Sequence, residues 1–187
     1  RCGCRMFFVG VESGDQQILD SVKKKTSLNT IEQFFKNSKK ARIDTIASMA
    51  FGFPGETKQS ILRTIEWVVH VLDPSLALFA SATPYPGTPF YEKAVADGLI
   101  GAEDFSKFDL LQPILETSDL SLEQLRELLK YAYRRFYFRK RKAIEAIKRE
   151  IRYSLESYGL KMFLRNGLVN LRGIRFMHQA TKPVRMS

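Results

Sequence analysis

The chain has 187 residues with a net charge of +10, and 44% of its residues are hydrophobic and 27% charged. Its two cysteines, Cys2 and Cys4, exclude a disulfide framework, so we expect a reducing, cytoplasmic location. It contains no run of eighteen apolar residues and no signal-peptide pattern, so we expect neither a transmembrane helix nor secretion.

The charge is distributed unevenly along the chain. Residues 1–116 have a net charge of −1, whereas residues 117–187 have a net charge of +11. Such a shift in composition marks a candidate boundary. The sequence therefore predicts a near-neutral domain over 1–116 and a basic extension over 117–187.

The first region alternates between strand and helix patterns. Apolar runs at 6–11, 43–51 and 76–83 predict three strands, and their continuity is typical of strands buried on both faces. Helices are predicted after each strand: one ending at Lys23–Lys25, one capped by Asn29 and Glu32, one from Thr57 to Leu72, and one over 89–99. This order predicts an α/β fold with a parallel sheet.

From Ser121 the pattern is helical. Ser121 and Gln124 form a predicted capping box, and apolar residues then recur at helical spacing as far as Phe136. A basic amphipathic helix is predicted over 143–158, with a further helical piece over 160–171. Residues 117–187 are therefore expected to be an α-helical basic tail.

Ligands of parallel α/β folds bind beyond the carboxyl ends of the strands. The informative segments are therefore the loops at 12–14, 52–57 and 83–88. Each contains glycine, which lets the backbone approach a ligand closely, and together they offer carboxylates, hydroxyls and fixed carbonyls. The alternative interpretation is that they are only well-capped turns.

Three motifs in these loops carry a family resemblance. V-G-V-E-S-G at 9–14, G-F-P-G-E-T at 52–57 and T-P-Y-P-G-T-P-F-Y at 83–91 resemble, in that order, the second half of the radical S-adenosylmethionine barrel. Y-R-R-F-Y-F-R at 133–139 is similar to the helical tail of cobalamin-dependent members. The resemblance implies the C-terminal half of a partial (β/α) TIM-like barrel followed by the helical tail.

The resemblance also implies an activity and its cofactors. In this family a 4Fe-4S cluster gives an electron to S-adenosylmethionine, which releases methionine and a 5′-deoxyadenosyl radical, and the protein orients the cofactors. The cobalamin subgroup often methylates or cyclises unactivated carbons. The implied substrate is a small or lipid-like molecule, and nucleic acid is an unexpected partner.

Four candidate cofactor-binding residues lie in or near the first two strands. By resemblance, Glu12 contacts the ribose of S-adenosylmethionine, with Ser13 beside it. Lys24 falls where relatives place a cation against the methionyl carboxylate, which it would pair with favourably. Ser48 occupies the position of another ribose contact that is often a carboxylate in relatives.

Five more candidates follow the second and third strands. Gly52 and Gly55 are expected to allow backbone approach, and Glu56 to orient the loop rather than touch the ligand. Thr83 and Pro84 are expected to frame the adenine through backbone atoms.

The sequence departs from the family in its cysteines. The C-x-x-x-C-x-x-C motif that binds the cluster is absent, and Cys2 and Cys4 cannot close a four-ligand site with the distant His70 and His178. No metal ligand or catalytic residue is therefore assigned within the chain. Because the chain starts at Arg1 in a strand-like run, we expect a fragment, and because the cluster motif and the early strands are missing, we expect it to be inactive alone.

Two other functions remain open. Arg, Lys and aromatic residues interleave over 131–142, as in a basic module that binds nucleic acid or a membrane surface. Their helical spacing favours a helix that packs its aromatics and solvates its cations. Radical S-adenosylmethionine methylthiotransferases also have a G-F-P-G-E-T loop, but they add a small β-barrel domain where this tail is predicted to be helical.

Overall fold

The computed structural model describes residues 3–98, 113–142, 144–149 and 151–152. Two compact units divide the chain, Arg1–Phe136 and Tyr137–Ser187. Several sequence predictions lie wholly or partly outside the described residues: Cys2, His178, the last residue of the helix over 89–99, the helix over 143–158 and the piece over 160–171.

Three parallel strands form the sheet of the first unit. They are β1 (Met6–Glu12), β2 (Asp44–Phe51) and β3 (Leu76–Ser81), hydrogen-bonded in that order. Helices connect them, so the predicted α/β class with a parallel sheet is confirmed. The carboxyl ends of all three strands consequently lie at the same edge of the sheet.

The two faces of the sheet differ in burial. β2 alternates strictly between buried and half-buried residues, and β1 exposes 64% of Phe8. The less buried face of the sheet is called the open face here. Across it, Phe8 on β1 lies beside Ile46 on β2, which lies beside Leu76 on β3. The prediction that these strands are buried on both faces is therefore wrong for this structure, because the described helices cover one face only.

The helices of the first unit begin at polar caps. α1 is Gln16–Ser21, α2 Leu28–Lys40, α3 Lys58–Trp67, α4 Pro89–Ala96 and α5 Leu122–Tyr137. A π-helical segment, Val68–Leu72, extends α3. No helix among the described residues is long and apolar enough to cross a lipid bilayer.

The capping predictions have mixed outcomes. Thr57 caps α3, and Ser121 and Gln124 exchange the two hydrogen bonds of a capping box, as predicted. The Asn29 prediction is wrong, because Ser27, two residues earlier in the chain, accepts from the Thr30 amide. The lysine run at 23–25 follows α1 instead of closing it.

Helix α5 closes the free edge of β3. The Phe79 amide donates to the Tyr133 hydroxyl at 3.2 Å, and the Phe79 ring contacts the rings of Tyr133 and Phe136 edge-on. Arg135 donates two 2.8 Å hydrogen bonds to the Glu66 carboxylate on α3. This guanidinium lowers the pKa of Glu66 below its usual range, which is the signature of a stabilised ion pair.

Replacing Tyr133 by Phe should destabilise the first unit by about 1–3 kcal/mol, because the Phe79 amide would lose its acceptor inside the protein. Chemical denaturation measures the change. Tyr131→Phe removes a hydroxyl from a side chain of the same helix that is 42% exposed, so its effect should be smaller. Equal stability losses in the two variants would contradict the edge-closing role of Tyr133.

Candidate functional site

An ion pair lies above Gly10 at the carboxyl end of β1. The Lys24 ammonium donates to Glu12 Oε1 at 2.8 Å, and both side chains are about one-third exposed or less. A Cβ at Gly10 would stand 2.7 Å from that carboxylate oxygen and 3.1 Å from Lys24 Nζ. Glycine at position 10 therefore makes room for the pair.

The backbone of Glu12 aims its side chain over the sheet. Pairing with β2 shifts register between Gly10 and Glu12, and Glu12 adopts a left-handed φ of 69°. Such a conformation is uncommon for a residue with a side chain. Ser48 lies directly opposite Gly10 in register, on the same open face. The structure thus brings Glu12, Lys24 and Ser48 to one corner of the open face.

A buried carboxyl group joins the first two loops. Glu56 is fully buried, and its Oε2 accepts from the Gly52 amide at 2.7 Å and the Phe53 amide at 3.0 Å. Its Oε1 accepts from the buried Ser13 hydroxyl at 3.4 Å. The predicted site residues Ser13, Gly52 and Glu56 therefore form a buried network, distinct from the partly exposed Glu12–Lys24 pair.

Burial dominates the protonation of Glu56. It raises the pKa of the Glu56 carboxyl to about 7, although the amides of Gly52 and Phe53 and the Ser13 hydroxyl all favour the ionised form. The group is thus poised to hold a proton through the mildly acidic range. Because it lies among loop amides, its charge state is coupled to the geometry of the loop.

A second contact fixes the first loop against α3. The Gly14 amide donates to Thr64 Oγ1 at 3.0 Å, and a Cβ at Gly14 would stand 2.9 Å from the Trp67 ring. Trp67 in turn donates its indole N–H to Glu32 on α2 at 2.7 Å. The turn after β1 is therefore held by close packing as well as by Glu56.

Helix α4, which follows the third loop, contacts the second loop through an aromatic pair. The Phe53 and Phe90 ring centroids are 6.2 Å apart, and the Ala82 amide donates to the Phe51 carbonyl at 2.8 Å. Thr83 is half-buried and donates to the Ser81 carbonyl at 3.2 Å, and Pro84 is buried.

Two glycines give the second loop its shape. Gly52 and Gly55 have φ of 97° and 87°, which favour glycine. A Cβ at Gly52 would meet Leu125 of α5 at 3.2 Å, whereas Gly55 faces open space. Gly52 thus permits helix packing, and Gly55 leaves the tip of the loop accessible.

Sequence reasoning missed Gly10 and Thr64. Gly10 interrupts an apolar strand, which is a recognised sign of close approach by another group and could have identified it. Thr64 gives no comparable signal, since its role depends on α3 packing beneath Gly14. Among the described residues no group of three or more acidic, histidine or cysteine side chains could hold a metal ion, and Cys4 is exposed as a free thiol.

The chain is similar to parts of several enzymes. It is 32% identical over 164 residues to an uncharacterized methyltransferase of Pyrococcus horikoshii, covering 83% of this chain and 36% of that protein. It is 28% identical over 136 residues to the anaerobic magnesium-protoporphyrin IX monomethyl ester cyclase of Cereibacter sphaeroides, covering 71% of this chain and 21% of the enzyme.

A third relative is another methyltransferase. The chain is 28% identical over 128 residues to the bacteriochlorophyllide d C-12(1)-methyltransferase of Chlorobaculum tepidum, covering 68% of this chain and 27% of the enzyme. No protein-family model matches the chain. The chain thus spans between about a fifth and about a third of the length of the curated relatives it matches.

Glu56→Gln should change how stability depends on pH. Because the folded-state pKa of Glu56 is raised to about 7 from 4.5, the folded state binds more protons than the unfolded state between these values. The free energy of unfolding should therefore fall as pH rises through this window, by about 3 kcal/mol. The amide oxygen of the substituted glutamine can still accept from both loop amides, so the variant should lack this fall.

Chemical denaturation at pH 5 and at pH 8 gives the free energy of unfolding of the variant and of the parent. The effect is the change with pH in the difference between these two free energies. Glu127→Gln removes the same charge from a side chain that is 65% exposed, and its difference from the parent should stay nearly constant. An equal pH dependence in the parent and in the Glu56→Gln variant would contradict the raised pKa.

Proposed function

We propose that the chain is the C-terminal part of a radical S-adenosylmethionine enzyme, and that its sheet is half of a partial (β/α) barrel. The observation that carries this proposal is the Glu12–Lys24 pair above Gly10, at the edge of a parallel sheet where ligands of such folds bind. The names of the relatives, two methyltransferases and a cyclase, support an enzyme of this type.

The residues at this corner fit the cofactor chemically. S-adenosylmethionine has ribose hydroxyls that can donate to a carboxylate and a methionyl carboxylate that can accept from an ammonium. Glu12 and Lys24 supply these two groups 2.8 Å apart, and Ser48 adds a hydroxyl beside them. A partly exposed pair of this kind contributes little to stability, so exchanging it for ligand contacts costs little.

The chain's own residues would bind and orient the cofactor and exclude water. Glu12, Lys24 and Ser48 would hold its polar groups, and Glu56 would keep the second loop in place from beneath. Phe8 and Leu78, on the open face, would supply an apolar surface that keeps water away from reactive species. When bound, S-adenosylmethionine together with a 4Fe-4S cluster would supply the radical chemistry.

The ligands of the cluster would come from outside this chain. The described residues offer only Cys4 as a thiol ligand, and a cluster of this type needs more. We propose that the cysteines, the first half of the barrel and any cobalamin-binding domain belong to the remainder of a longer protein. On this proposal the 187-residue chain is inactive alone.

The proposed reaction is methylation or ring formation at an unactivated carbon of a small or lipid-like molecule. Two relatives are named for magnesium-protoporphyrin IX monomethyl ester and bacteriochlorophyllide d, both small molecules with large apolar surfaces. All described residues after 121 except Phe138 and Arg139 are helical, unlike the added β domain of the methylthiotransferases. This contrast supports methyl transfer or cyclisation over methylthiolation.

Binding of S-adenosylmethionine tests the site. In the full-length protein, Glu12→Ala or Lys24→Ala should weaken the affinity for S-adenosylmethionine more than tenfold. Each tenfold change corresponds to about 1.4 kcal/mol of binding free energy. Titration calorimetry measures the affinity without requiring turnover. Lys25→Ala removes the same charge from the same loop and should bind like the parent. Unchanged affinity in the Glu12 and Lys24 variants would remove the proposed assignment.

Gly10→Ala tests the geometry of the same corner without removing a charge. The added methyl group would collide with the Glu12 carboxylate and displace the ion pair. We expect affinity for S-adenosylmethionine to fall about tenfold or more in the full-length protein. Gly98→Ala is the matched control for added volume, since its Cβ would meet open space, although its positive φ adds local strain. A larger loss at Gly98 than at Gly10 would locate the cofactor elsewhere.

A further inference from the structure

An exposed apolar stripe occupies one side of a basic helix in the second unit. Residues 140–142, 144–149 and 151–152 are helical, and Ile144, Ile147 and Ile151 are 53%, 48% and 39% exposed. Their spacing places them on one helical face. Isoleucine is seldom left this exposed three times on one face, so this isoleucine stripe indicates a surface that is covered in use.

Basic side chains border the isoleucine stripe. Lys140 lies one turn before Ile144 and Lys148 one turn after it, and both are exposed. Arg141 and Arg152 are also exposed, and Arg141 pairs with Glu145 at 3.4 Å. Helices that lie in the membrane interface combine an aliphatic face with flanking Lys and Arg.

We propose that the isoleucine stripe docks on an anionic lipid surface. Aliphatic side chains can enter the boundary between headgroups and acyl chains, while the flanking cations contact anionic headgroups. The second unit, Tyr137–Ser187, has 13 Lys and Arg against 3 Asp and Glu, and its net charge of +10 provides the complementary field. This inference is independent of the proposed cofactor site, which lies in the first unit.

Nucleic acid fits the stripe less well than lipid does. Non-specific binding of single strands relies on aromatic side chains that stack with bases, and isoleucine has no such surface. The aromatic residues near 131–138 belong to α5 and the residue after it, not to the stripe. A basic surface with an aliphatic centre therefore favours lipid.

Sedimentation with lipid vesicles tests the proposal on the 187-residue chain. We expect the chain to bind vesicles of phosphatidylcholine mixed with phosphatidylglycerol at least about tenfold more strongly than vesicles of phosphatidylcholine alone. Raising NaCl from about 0.1 M to about 0.5 M should weaken this binding, because headgroup contacts are screened. Equal binding to both kinds of vesicle would overturn the proposal.

Substitution of the stripe tests its contribution directly. The triple variant Ile144→Ser, Ile147→Ser and Ile151→Ser should bind anionic vesicles at least about tenfold more weakly. Val71→Ser removes an aliphatic side chain of the first unit that is 52% exposed and should bind like the parent. Parent-like binding by the triple variant, or loss of binding in the Val71→Ser variant, would overturn the proposal.

Two further measurements distinguish lipid binding at the isoleucine stripe from lipid binding elsewhere and from contact between copies of the chain. Hydrogen–deuterium exchange of the unmodified chain should show vesicle-dependent protection concentrated in residues 140–152, a result that needs no variant to fold. Protection elsewhere would count against the stripe. A triple variant with a smaller molecular mass in solution but unchanged vesicle binding would identify the stripe as a contact between copies and overturn the lipid assignment.

Discussion

The buried carboxyl group of Glu56 is the interaction on which the arrangement of the site-bearing loops depends. It gathers two loop amides and the Ser13 hydroxyl around one group with no exposure to solvent. An apolar side chain in its place would leave the Gly52 and Phe53 amides without an acceptor inside the protein, which costs more than the hydrogen bonds themselves contribute. Burial raises the pKa of Glu56 to about 7, because it destabilises the ionised carboxylate. The loops are therefore held together by a carboxyl group that resists ionisation.

Local chemistry predicted much of the fold from the sequence. The three strands and the caps at Thr57 and Ser121 follow from short-range patterns that the structure reproduces. The Asn29 cap failed because Ser27 offers an equally good acceptor two residues earlier, and short-range rules do not rank the two. Burial on both strand faces failed because it depends on what covers the sheet, which no local pattern encodes.

The candidate site residues were named from the sequence, but their grouping in the structure was not predicted. Lys24 was expected to face a ligand carboxylate, and in the structure it faces Glu12, twelve residues away in sequence. That encounter depends on the left-handed turn at Glu12 and the absence of a side chain at Gly10. The contact of Tyr133 with Phe79 is of the same kind, since the two residues are 54 positions apart and meet only in the folded chain. The two edge strands of the sheet also differ: α5 closes β3, whereas β1 is the edge strand beside which the proposal places further strands.

The strain at Glu12 is informative because the ion pair that depends on it does not offset its energetic cost. A non-glycine residue in the left-handed region costs on the order of 1 kcal/mol, and a partly exposed ion pair returns less than that. The chain without ligand therefore gains little from aiming the Glu12 carboxylate over Gly10. Residues with such backbone strain cluster at ligand sites. A bound ligand can offset the strain at Glu12 if it presents hydrogen-bond donors to the carboxylate in positions that neither water nor Lys24 provides. The conformation of Glu12 thus supports a ligand site at this corner of the sheet more strongly than the presence of two opposite charges does.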